Sequence, residues 1–144
     1  MKADRAWLAA HLPQRGTMML LEDVIAWDAL RLSARASSHR AAANPLRRGA
    51  VLPVACGIEY AAQAVAAHGA LLAAGPAPPG LLASVRAVRF HALRLDDQPE
   101  ALEVDVERIS GAAGGLLYGF RVASAGRALL EGRLAIAFAA AAIP

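Results

Sequence analysis

Apolar and polar residues alternate along this chain with two different periods. Near the start, Asp4 stands ahead of Trp7, Leu8 and Leu12 on one side of a turn, which predicts a short capped helix that Pro13 ends. Gln14-Arg15-Gly16-Thr17 reads as a loop, and the apolar run from Met18 to Trp27 leads into a first strand. From Leu30 to Ser38 the chain alternates, with Leu30, Leu32, Ala34 and Ala36 set against Arg31, Ser33 and Arg35, the mark of a half-buried strand. Asn44 to Pro53, with two prolines, two arginines and a glycine, is a loop. The period then changes to that of a helix from about Val54 to Ala74, with Ile58, Ala61, Ala62, Val65, Gly69 and Leu72 as its apolar stripe. The run Gly75-Pro76-Ala77-Pro78-Pro79-Gly80 stops it.

Strand periodicity fills the rest. Leu81 to Leu95 is long and its alternation changes phase, which predicts a bulge or bend. Leu102, Val104 and Val106 alternate with Glu103, Asp105 and Glu107. After a turn at Gly111–Gly115, Tyr118, Phe120 and Val122 share a face; after Ser124-Ala125-Gly126, so do Leu130, Leu134, Ile136 and Phe138. Tight turns between consecutive strands imply antiparallel neighbours. The long helix lacks a wide polar face and so needs cover nearly all round. The layout is α+β: a curved antiparallel sheet wrapped around a long central apolar helix, in one domain over residues 1–144. A dimer mate would complete the cover.

Composition narrows the function classes. With 57% hydrophobic and 19% charged residues the chain is built to fold. Net charge is a modest +3, Lys2 is the only lysine, and the arginines are scattered in an alanine-rich chain, as GC-rich coding produces. Aromatics at 5% are too few for a stacking platform, which argues against nucleic acid. Cys56 is the only cysteine, so no internal disulfide forms and a cytoplasmic home is expected. The start lacks the apolar core of a signal peptide, and the Tyr60–Ala74 stretch, interrupted by Gln63 and His68, is too short to span a bilayer; no membrane association is expected.

The candidate chemistry lies in Leu52-Pro53-Val54-Ala55-Cys56-Gly57-Ile58-Glu59-Tyr60-Ala61-Ala62-Gln63-Ala64. A proline and a glycine open a very apolar helix that carries one acid, Glu59, in its first turn and an amide, Gln63, four residues on. Burying an ionised carboxylate in such surroundings costs free energy unless it gains a partner or shifts its pKa. A lone acid there is therefore a candidate for catalysis.

The layout and this motif resemble the hot-dog fold, and in particular the 3-hydroxyacyl-acyl-carrier-protein dehydratases. In those enzymes a proline stands six residues ahead of the catalytic acid and a glutamine four residues after it; Pro53, Glu59 and Gln63 occupy those places. Leu12-Pro13-Gln14-Arg15-Gly16, followed by Met18 to Asp23, matches the family's Leu-Pro-His-Arg-like opening turn. The wording Gly57-Ile58-Glu59-Tyr60-Ala61-Ala62-Gln63-Ala64 looks most like a divergent branch found in aryl-polyene and related pigment clusters. The resemblance implies a dehydration in which a histidine and a carboxylate, divided across a dimer interface, act as base and acid on a carrier-protein or CoA thioester. Backbone N–H groups at the helix start, those of Gly57 and its neighbours, would polarise the thioester carbonyl. It implies substrate contacts for Asn44, Pro53, Cys56, Gly57 and Gln63, a homodimer or a heterodimer with another hot-dog protein, and no cofactor. One departure stands out. The family's histidine position falls on Pro45, or on Asn44 if the loop is one residue longer.

Several residues have two readings. Gln63 either orients the Glu59 carboxylate or fills space at a dimer interface. His68, nine residues beyond Glu59, lies on the opposite side of the helix and is structural. His39 is a surface histidine or a substitute base, His91 is structural or on the outer face of the sheet, and His11 complements a helix C-terminus. No histidine pair has metal-site spacing, so no metal is predicted. Cys56 is a small buried residue or a nucleophile at a helix start. Arg47 and Arg48 are solvated loop residues or contacts for a phosphopantetheine phosphate or an acidic carrier protein. Three functions follow: a dehydratase with Glu59 as the retained acid, an acyl thioesterase on the same fold, or a non-catalytic partner of an active hot-dog dehydratase.

Overall fold

The computed structural model describes residues 3–75, 80–112 and 114–138. Helix α1 (Arg5–His11) starts where Asp4 accepts the Trp7 N–H at 3.0 Å and stops ahead of Pro13. Strand β1 (Asp23–Trp27) pairs with β2 (Arg31–Ala36). A 3₁₀ turn over Val54–Cys56 runs into the 17-residue helix α2 (Gly57–Ala73). Four strands follow: β3 (Gly80–Phe90), β4 (Leu102–Ala112), β5 (Gly115–Ser124) and β6 (Arg127–Phe138). They form one six-stranded sheet in the order β1-β2-β4-β5-β6-β3, antiparallel at every pairing. Helix α2 lies across β2, β4 and β5, so the sheet wraps the helix as the hot-dog fold requires. Among the described residues no helix is long and apolar enough to cross a membrane.

The inner face of the sheet contributes Leu32, Ala34, Val104, Val106, Tyr118, Val122, Leu130 and Leu134 to the core, all nearly inaccessible. Against them α2 presents Tyr60, Ala61, Ala64, Ala67, His68 and Leu71. This differs from the expected stripe. Of its members only Ala61 and Val65 are buried; Ile58, Ala62 and Gly69 are half-buried and Leu72 is 40% exposed. Alanine on every side leaves the helix with little directional preference, so the face was chosen by its large side chains, Tyr60 and His68, whose polar atoms find partners inside.

The first strand is also shorter than expected. Met19, Leu20 and Leu21 are buried, yet they precede β1. Part of their backbone bonding is supplied by α2 rather than by a neighbouring strand: the Leu20 N–H donates to Gln63 Oε1 at 2.9 Å, and Gln63 Nε2 donates to the Met18 carbonyl at 2.7 Å. The expected irregularity in the strand after α2 is present. The register of β3 against β6 shifts between Leu82 and Ser84 and again between Arg86 and Arg89, with Ala87 at φ 51°. Gly132 lies opposite the second shift, where an added Cβ would come within 3.1 Å of the Arg86 carbonyl oxygen and the Val88 Cα.

Candidate active site

The start of α2 is held from behind. Leu52 N–H donates to Asp96 Oδ1 at 2.7 Å, Leu95 N–H to the Leu52 carbonyl at 2.8 Å, and Val54 N–H to the Leu93 carbonyl at 3.1 Å. Pro53, between them, bridges to Arg94. Proline suits this position because it fixes the backbone entering the turn and its missing N–H leaves no orphan donor. Gly57 then brings the first helical turn against β6: a Cβ there would stand 2.5 Å from Leu130 Cδ2. Its φ of −60° is ordinary, so close packing is what calls for glycine. The Gly57 N–H donates within the turn, to the carbonyls of Val54 and Ala55, so it is already engaged.

Glu59 follows in the first turn of α2, half-buried, on the less covered face that it shares with Ala62 and Ala66, three and seven residues on. It has no hydrogen bond or ion pair among the described residues, and burial raises its pKa above the ordinary carboxylate value. Such a group holds its proton more tightly than a surface glutamate, as a general acid must.

The other candidates are placed differently. Gln63 is fully buried, with both ends of its amide on Met18 and Leu20; no hydrogen bond joins it to Glu59. Asn44 is also buried. Its Nδ2 donates to the Ser38 carbonyl at 2.9 Å and to Tyr60 Oη at 3.1 Å, and its Oδ1 accepts the Leu46 N–H at 2.9 Å. Ser38 Oγ donates to the Leu20 carbonyl at 2.8 Å, which leaves it to accept the Tyr60 hydroxyl proton at 2.7 Å. Asn44 is thus the centre of a saturated network that fastens the Ser38–Leu46 loop to the residue next to Glu59. Asn44 and Ser38 also line an open pocket of about 230 Å³, shared with Arg5, Thr17, Met19 and Glu22; Glu59 does not line it. Cys56 is half-buried, its thiol directed at the Leu46 carbonyl (3.9 Å), and burial pushes its pKa up, the reverse of an activated nucleophile.

Arg47 is a staple rather than a solvated loop residue: Nε donates to the Ala41 carbonyl and Nη1 to that of Ala50, both at 2.8 Å, and Nη2 to that of His39 at 3.2 Å. Arg48 is exposed beside Cys56, whose thiol feels its charge.

All four histidines are committed elsewhere. His11 Nδ1 bonds to the Trp7 carbonyl at 2.8 Å and its ring stacks on Trp7. His39 is fully buried and not at the surface; Nε2 donates to the Gln98 carbonyl at 3.0 Å, Nδ1 is left without a partner among the described residues, and burial lowers its pKa. His68 Nε2 donates to the Asp28 carbonyl at 2.8 Å, so its Nδ1 accepts the Tyr118 hydroxyl proton at 2.6 Å. His91 Nε2 meets Glu131 at 2.8 Å on the outer face. Sequence reasoning missed Tyr60 and Ser38, and it read Arg47 as a solvated residue or an anion contact rather than as a staple of its own loop; a tyrosine beside the lone acid was the signal available.

The family model described as ApeP dehydratase, ApeP-like, matches residues 7–142. No curated protein matches. Among solved structures, the chain is similar to a chain of the dehydratase heterocomplex ApeI:P from Xenorhabdus doucetiae, at 22% identity over 92% of this chain and 90% of that one, with a TM-score of 0.79. It is also similar to AziG of S. sahachiroi (16% identity, 82% and 90% covered, TM-score 0.60). A mutant form of thioesterase PA1618 from Pseudomonas aeruginosa is similar too (14% identity, 81% and 79% covered, TM-score 0.55). At these identities the likeness to the solved structures is one of fold.

Proposed function

The chain belongs to the ApeP-like dehydratase family, and from that premise we propose that it is the acid-bearing subunit of a 3-hydroxyacyl thioester dehydratase whose histidine comes from a second hot-dog chain. The observation that carries this reading is the mismatch between its two catalytic halves. Glu59 is half-buried, outward-facing and unpaired among the described residues, while every imidazole of the chain is engaged with another group. In the reaction, an imidazole of the second chain removes the C2 proton of the acyl group. The C3–O bond breaks as Glu59 delivers its proton to the departing hydroxyl, the C2–C3 double bond forms, and water leaves. The raised pKa of Glu59 suits the acid half of that exchange. The dehydratase heterocomplex of Xenorhabdus doucetiae supports a mixed assembly. The substrate is an acyl chain on a carrier protein or on CoA.

The test is to offer a 3-hydroxyacyl carrier-protein thioester to the chain alone, to a histidine-bearing hot-dog partner alone, and to the two mixed, following enoyl product. Turnover is expected in the mixture and should fall by about 10²–10⁴-fold with Glu59→Gln, the range that general acid catalysis contributes. Full activity of the mixture carrying that variant would exclude Glu59 as the acid.

A thioesterase reading is favoured by the same unpaired carboxylate, since a carboxylate can activate water or act as a nucleophile without a histidine. Release of free thiol from acyl-CoA by the chain alone would establish it; intact thioesters across a range of chain lengths would remove it.

A further inference from the structure

The outer face of the sheet carries its charges in rows fixed by strand register. One row reads Arg31 on β2, Glu107 on β4, Gly119 on β5, Arg133 on β6 and Arg86 on β3. Glu107 is taken by Arg31 at 2.5 Å and Gly119 has no side chain, so Arg133 and Arg86 stand directly opposite each other, both exposed, with no acid of their row to spare. In the next row Arg89 on β3 faces Glu131, whose carboxylate is held by His91. Among the described residues Arg86, Arg89 and Arg133 form no ion pair, whereas Arg31, Arg35 and Arg94 all do. Like charges directly opposite on neighbouring strands destabilise a sheet.

The position of this cluster gives it a use. Strand β3 is bonded to β6 on one side only and, among the described residues, leaves an eleven-residue edge free on the other, while at the opposite edge of the sheet β1 is partly capped where the Val24 N–H donates to the Ala3 carbonyl at 2.8 Å. A free edge of that length is a template for another strand. If a second copy paired there about a two-fold axis through Val85, the middle of β3, each Arg86 would lie diagonal to its mate, with an Arg133 behind each. Two arginine pairs would meet without a carboxylate between them.

We propose that this arginine cluster selects the chain's partner: it disfavours pairing of β3 with a second copy and favours a different hot-dog chain whose matching edge strand carries carboxylates on its outer face. The proposal rests on the reading of this protein as half of a mixed pair and supplies the means by which the mixed pair wins.

The experiment uses the chain against its own charge-reversed form. Sedimentation equilibrium at low salt measures self-association of the wild type, self-association of R86E/R133E, and association of the two mixed. The mixed pair is expected to be at least tenfold tighter than wild type with itself, with the gap closing in 1 M salt, where such charges are screened. The neutral R86Q/R133Q form keeps the test decisive if the reversed chain does not fold: its self-association at low salt should be at least tenfold tighter than that of the wild type. Equal or tighter self-association of the wild type, or a salt-independent difference, overturns the proposal. No arm depends on turnover, so a failed dehydratase assay and a failed pairing assay are separate results.

Discussion

Glu59 and His39 are two titratable groups that burial moves away from their charged forms, and they act on stability with opposite slopes. A carboxyl with a raised folded-state pKa contributes stability below the ordinary carboxylate value and loses it as pH rises through the raised one. An imidazole with a lowered pKa contributes stability above the ordinary histidine value and loses it as pH falls towards its folded value. Replacing Glu59 by Gln therefore removes a penalty at neutral pH. The melting temperature of the isolated chain is expected to rise by about 2–4 °C at pH 7, and the gain should vanish as pH drops below the ordinary glutamate range. Thermal melts of both forms across that pH range check it; a lower melting temperature for the variant at pH 7 would mean that the carboxylate is paired in the folded chain. The lone acid and its place in the first turn were legible in the sequence, because they depend only on local spacing. The work done by Gln63 was not: its partners, Met18 and Leu20, lie more than forty residues away along the chain.

Helix α2 depends on a close approach at its start. Its first turn touches β6 through Gly57, where any side chain would meet Leu130. Alanine is the better helix former, yet Gly57→Ala is expected to destabilise the chain by about 1–3 kcal/mol, the usual cost of overpacking a core. Combined with Leu130→Val, which trims the colliding side chain, the two costs should be less than additive in denaturant unfolding. The antiparallel neighbours β4, β5 and β6 and the bulge in β3 followed from alternation and turn residues, whereas the placing of β3 beside β6 did not, because no tight turn joins those two strands. The orientation of α2 did not, since alanines on all sides blur the stripe. What turned it was the pairing of His68 with Tyr118 and of Tyr60 with Ser38 and Asn44, contacts between residues far apart in the chain.

Glu59 shares its face of α2 with residues that this chain covers only in part. Ile58, Ala62, Ala66 and Gly69 remain only half covered by this chain's own sheet. Ala66→Arg, two turns beyond Glu59 on that face, is expected to cost the isolated chain no more than about 1 kcal/mol while abolishing turnover of the mixture by blocking assembly. Sedimentation of the mixed proteins separates that outcome from a direct effect on catalysis. The Gln63 clamp has one more consequence at this scale. Because the Leu20 N–H is donated to a side chain of α2 and not to a neighbouring strand, its deuterium exchange reports how often the helix lifts from the Met18–Leu20 segment. Followed with and without a partner chain, that single amide should slow on assembly, giving a clock for the breathing of the helix that carries Glu59.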